Sequence, residues 1–138
     1  MTEQEKKILF QAICESLSYG LKCTTKAQGW PGVYPICGCI GNKIILDCPK
    51  EVEGDDIWLV QNIIPYLRPM SSMTEEECKE LGILFGGIPD KEYIYKPYTN
   101  ILYSDFSLVI TWFNIHHLDY RGLIPMGLAL PAPEGMYK

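Results

Sequence analysis

Along residues 2–19, apolar side chains recur at Ile8, Leu9, Ala12, Ile13 and Leu17, a spacing that gathers them on one face of an α-helix. Thr2 and Glu5 make a T-x-x-E capping box, in which each side chain accepts from the other residue's free backbone N–H. Gly20 follows as the C-terminal cap, because glycine enters the left-handed region without a Cβ clash. The period then shortens to two. Leu21–Thr25, Val33–Ile40, Lys43–Cys48, Ile57–Val60 and Ile63–Tyr66 read as short strands, and Gly41-Asn42 suits a two-residue hairpin turn of type II′ or I′. The acidic, turn-rich stretch 48–56 reads as an exposed loop. Strands at this spacing predict a small twisted antiparallel sheet of four or five strands, barrel-like in curvature.

Beyond Arg68 the helical period returns. Thr74 and Glu77 repeat the capping box, with Glu75, Glu76 and Glu77 where the helix dipole favours anions, and Gly82 ends this short helix. Residues 83–103, carrying Gly86-Gly87, Pro89, Pro97, Tyr93, Tyr95, Tyr98 and Tyr103, read as an irregular connector. Ser104 or Asp105 caps a third helix running to about His117. Its apolar face is Leu108, Val109, Trp112, Phe113 and His116, which turns His116 inward and His117 outward. Pro125, Pro131 and Pro133 forbid a long helix in the tail, where Leu123, Ile124, Met126, Leu128 and Leu130 supply apolar anchors. The expected class is α+β: one domain over residues 1–138, made of helix 2–19, a β unit at 21–68 and a helical or irregular part at 70–138.

Composition sharpens this picture. With 138 residues, 47% of them apolar and 21% charged, the chain buries a core without help from disulfides or metal. No apolar run approaches the ~20 residues of a membrane span. The opening Met-Thr-Glu-Gln-Glu-Lys-Lys lacks the basic-then-apolar order of a signal peptide, so a cytoplasmic location with no membrane partner is expected. In that compartment the six cysteines are expected reduced, mostly as small buried hydrophobes. A net charge of −5, with lysines scattered and no basic stripe, disfavours a nucleic-acid partner.

Two stretches carry a specific resemblance: IIPYLRPMSSMTEEE at 63–77 and FNIHHLDYRGLIPMGLALPAPEGMYK at 113–138. They resemble an uncharacterised family of small proteins encoded in phages, prophages and mobile elements of gut-dwelling bacteria. The resemblance implies a genomic setting rather than a mechanism, and it extends to the rest of the chain only in general layout. The cysteines between 23 and 48 do not belong to its pattern.

Candidate chemistry is sparse. His116, His117 and Asp119 could form a catalytic group with a cysteine nucleophile, or His116 and His117 could simply close a helix by hydrogen-bonding carbonyls. Adjacent histidines on a helix point about 100° apart and do not readily share one metal. Cys23, Cys37, Cys39 and Cys48 could supply four thiolates, but their C-x13-C-x-C-x8-C spacing is not that of paired zinc knuckles, and strand alternation places Cys37 and Cys39 on one face, as core packing would. Arg68 and Arg121 are the only arginines, each beside a tyrosine, Tyr66 and Tyr120. They read either as a recognition site for carboxylate or phosphate, or as clamps against Asp119 or the Glu75–Glu77 helix start. Trp30, Trp58 and Trp112 read as partner anchors or as core. P-loop, G-x-G-x-x-G, H-E-x-x-H and EF-hand patterns are absent, and no cofactor is expected. The first functional expectation is a non-enzymatic accessory protein that contacts a phage or host protein. The second is a nucleic-acid-binding module using the sheet, and the third a small hydrolase or transferase built on His116 or His117 and Asp119.

Overall fold

A computed structural model describes residues 1–27, 32–47, 57–84 and 106–137. Trp30, Cys48, the acidic stretch 48–56, the four connector tyrosines and the expected caps Ser104 and Asp105 lie outside these residues. Helix α1 spans Glu3–Glu15, and its capping box forms in full, with Thr2 N–H donating to Glu5 at 2.8 Å and Glu5 N–H to Thr2 at 3.1 Å. A short 3-10 turn at Leu17–Tyr19 completes the predicted helical stretch, and Gly20 closes it in the left-handed region at φ +74°.

Five strands follow: β1 (Lys22–Thr25), β2 (Tyr34–Ile40), β3 (Lys43–Leu46), β4 (Ile57–Leu59) and β5 (Ile63–Leu67). A sixth, β6 (Leu130–Pro131), comes from the tail. They lie in the order β4-β3-β2-β1-β5-β6, antiparallel except for the parallel β5–β6 pair. The β2–β3 turn has Gly41 at φ +62° and no positive φ at Asn42, which selects type II′ of the two expected turns. The α+β class and the antiparallel strands are as expected, but the sheet is mixed and open rather than barrel-like. The face that a barrel would turn inward is covered instead by α1 and the C-terminal tail.

That face holds the larger core. Leu9, Ala12 and Ile13 of α1 meet Cys23, Ile36, Ile44, Leu46, Ile63 and Leu67 of the sheet, with Leu123, Leu128 and Ala129 of the tail. Alternation along β1 and β5 dictates the choice: Cys23 and Thr25 point in, as do Ile63, Pro65 and Leu67. In β2 a bulge between Ile36 and Gly38 inserts one residue and inverts the phase. Cys37 is therefore exposed, while Cys39, paired with Ile44, packs against the core. Simple alternation, which put both cysteines on one face, fails at this residue.

Helix α2 runs over Glu75–Leu84, passing through Gly82 rather than ending there. Gly82 is buried within the helix, and its weak helical propensity, about 1 kcal/mol against alanine, does not stop a segment held by tertiary packing. Helix α3 spans Phe106–Ile115. Its inward stripe is Val109, Trp112 and Phe113, whereas Leu108, one residue off that line, is exposed. These side chains build a second core with Met73, Cys78, Leu81, Leu118 and Tyr120, in which Phe113 and Tyr120 stack at 5.1 Å. Trp112 Nε1 donates to Glu80 at 3.0 Å and ties α3 to α2. Among the described residues no helix is long and apolar enough to cross a membrane.

Ile13 is fully buried where α1 meets the sheet. Ile13→Ala is expected to lower unfolding stability by about 2–4 kcal/mol, read as a lower urea midpoint with an unchanged slope.

Candidate functional site

The motif-bearing residues converge where β5 ends. Arg68 leaves the strand pointing at the start of α2, and its guanidinium grips Glu77 through two bonds of 2.8 and 2.6 Å. Glu77 is at the third position of α2, so its capping bond from Thr74 N–H (3.0 Å) holds the carboxylate in place for the arginine. His116 Nδ1 lies 3.1 Å from the other carboxylate oxygen. One carboxylate thus accepts from the end of β5 and from the α2 cap, with a ring nitrogen from the end of α3 beside it. Arg68 also donates to the Ser72 carbonyl at 3.2 Å, and Trp112 lies against the His116 ring with centroids 4.1 Å apart.

His117 has φ +57°, the left-handed conformation that terminates α3. This turn swings the side chain back into the molecule, reversing the expected arrangement: His117 is buried and His116 is the half-exposed one. The His117 Nε2–H donates to the Tyr19 carbonyl at 2.6 Å, a contact that fixes which ring nitrogen carries the proton. Its ring stacks on Tyr137 at 3.8 Å. Tyr137 in turn donates to the Tyr66 carbonyl at 2.7 Å and accepts from Lys22 N–H at 2.9 Å, fastening the tail across β1 and β5. Burial pushes the Tyr137 hydroxyl up to about 12. Between these groups is a cavity of about 380 Å³ lined by Tyr19, Lys22, Arg68, His116, His117 and Tyr137, among others.

Asp119 does not serve either histidine. Its two oxygens accept from the backbone N–H groups of Leu123 (2.7 Å) and Ile124 (2.9 Å), capping the turn that begins at Tyr120. Backbone bonds from Arg68 N–H to the His117 carbonyl and from Asp119 N–H to the Arg68 carbonyl hold this segment beside β5. Arg121 pairs with Glu15 at the end of α1, and its guanidinium lies 4.7 Å from the Tyr120 ring. Tyr120 itself is buried and Tyr66 half-buried. Both guanidinium groups are thus engaged within the chain, Arg68 against the helix start as the clamp reading anticipates and Arg121 against Glu15.

Of the thiolate candidates, Cys23 is buried on β1, Cys37 is exposed, and Cys39 lies beside Cys14 of α1 rather than beside Cys37. Cys48 is outside the described residues. No group of three or more histidine, cysteine, aspartate or glutamate side chains that could hold a metal occurs among the described residues.

A different surface stands out on the outward face of the sheet. Register places Ile57 beside Ile45 and Gly38 in one row, and Leu59 beside Lys43 and Ile40 in the next. Ile40, Ile57 and Leu59 are 60, 46 and 42% exposed. Edge strand β4 pairs only with β3 among the described residues. The capping-box and arginine signals located the Glu77 cluster from sequence, but this face had no such signal. Its isoleucines and leucine read as ordinary strand residues until the register set them side by side.

Two titrations follow from the C-terminal cluster. Burial lowers His117 below its ordinary 6.5, outweighing the Tyr19 carbonyl, so the fold favours the neutral ring. Stability from this group is complete above pH 6.5 and falls as the unfolded chain takes up the proton first. The Arg68 hydrogen bonds bring Glu77 from 4.5 down to about 2, so its contribution is complete above pH 4.5 and is lost as pH falls through 2. Burial raises Glu15, but bonds from Arg121, Gln11 and Tyr120 outweigh it and leave that carboxyl lowered too. Urea titrations from pH 8 to 2 are expected to show two declines. His117→Gln removes the upper one, and Glu77→Gln removes the larger part of the lower.

No family model, curated protein or solved structure matches the chain.

Proposed function

We propose that the chain is a non-enzymatic accessory protein that acts by binding another protein through the outward face of β2, β3 and β4. The observation that carries this reading is the pair of adjacent rows with Ile40, Ile57 and Leu59 exposed at a sheet edge that has no further strand among the described residues. Apolar side chains scattered singly are normal on a soluble surface, whereas contiguous ones on an edge strand mark contact sites. The chemistry at the opposite pole supports the same reading. Arg68, Glu77, Asp119 and His117 each bind groups of the chain itself, and among the described residues no nucleophile–base–orienter series surrounds the histidines. The net charge of −5 counts against a basic face for nucleic acid. A phage or mobile-element setting, with a phage or host protein as partner in the cytoplasm, rests on the resemblance at residues 63–77 and 113–138.

Affinity capture from phage-bearing bacterial cells, with and without nuclease, tests the reading. A stoichiometric protein partner is expected to survive nuclease and to be reduced at least about tenfold by Ile57→Asp with Leu59→Asp. Met126→Asp, an exposed apolar position in the tail, should leave capture unchanged. Retention of the partner by the double variant would reject this face, and loss of all partners on nuclease treatment would favour nucleic-acid binding instead.

A further inference from the structure

The last turn of α1 and the phase-inverted half of β2 bring two thiols together. Cys14 and Cys39 are both half-buried, and their sulfurs are 3.3 Å apart. They are separated by 25 residues in sequence, so this contact is made by the fold and not by local chain geometry. It depends on the bulge: without the inserted residue, Cys39 would turn to the outward face with Cys37. Sulfurs at this separation need to approach by roughly 1.2 Å to reach bonding distance, a shift within side-chain rotation. We infer that Cys14 and Cys39 are an oxidisable dithiol, a modification site at which a low-molecular-weight disulfide converts two free thiols into a cross-link between α1 and β2.

The step balances by thiol–disulfide exchange. Burial and the neighbouring Cys14 push the Cys39 thiol up to about 12. Cys14 sulfur attacks the small disulfide RS–SR, one S–S bond breaks, and RS⁻ leaves to take up the proton Cys14 has lost. Cys39 sulfur then attacks the Cys14 mixed disulfide and loses its proton to the second RS⁻. The protein is oxidised by two electrons, and the small disulfide is reduced to two thiols. Cys37, exposed on the opposite face, is the competing site for a simple adduct.

Incubation of the reduced full chain with glutathione disulfide, then alkylation and tryptic mass mapping, tests this. Residues 8–22 carry Cys14, and residues 27–43 carry Cys37 and Cys39, so Cys37→Ser leaves one candidate in the second peptide. The expected result is a covalent link between these two peptides in most molecules and an intact mass lower by about 2 Da. The melting temperature should rise by roughly 5 °C, and dithiothreitol should reverse both changes. Cys14→Ser should abolish the link. Glutathione adducts without the link, full alkylation of both thiols, or a link to any other cysteine would overturn the inference. Should Cys37→Ser fail to fold, fragmentation of the cross-linked peptide from the unsubstituted chain, between residues 37 and 39, gives the same decision.

Discussion

The Glu77 carboxylate is the contact on which the C-terminal half of this molecule depends. It accepts two bonds from Arg68 and one from the Thr74 backbone, so donors meet both of its oxygens, and His116 Nδ1 lies 3.1 Å away. Each contact uses a different part of the chain: the end of the sheet, the start of α2 and the end of α3. A carboxylate shielded this far from water gains more from each donor than an exposed one, and it would cost correspondingly more to leave unpaired. The arginine is the fitting partner because its planar fork meets both oxygens together, which an ammonium group does not.

The two hydrophobic cores meet around this ionic junction. One lies between α1 and the sheet, the other between α2 and α3. The segment from His117 to Leu123 passes from the second to the first, held to β5 by backbone bonds on both sides of Arg68. Tyr137 and β6 then fasten the tail along the same strand. Histidine, arginine and aspartate residues that suggest chemistry when read in sequence join layers here, and on the outward face of the sheet Ile40, Ile57 and Leu59 are exposed.

Local signals were legible in the sequence wherever they were sufficient. Both capping boxes, the Gly20 cap, the Gly41-Asn42 hairpin and the Asp119 cap depend on residues within a few positions of one another, and all are present. The failures have one cause. Gly82 inside α2, the inward turn of His117 and the opposite faces of Cys37 and Cys39 are each decided by packing or by a single backbone irregularity that composition does not announce. The candidate site divides in the same way. Arg68 against the α2 start was within reach because the helix dipole and the paired carboxylates mark an arginine partner. Glu15 as the partner of Arg121, 106 residues away, was not. The outward apolar face needed a register that only pairing supplies.

The bulge in β2 also constrains how this sequence can change over generations. Residues before it and after it follow opposite parity, so Tyr34 and Ile36 share the buried side with Cys39 although their numbers differ in evenness. Losing a single codon there would exchange inside for outside along everything from that point to the hairpin. A compensating insertion on the same strand would restore the original sidedness. Length variation in this strand is therefore expected to be inherited in pairs.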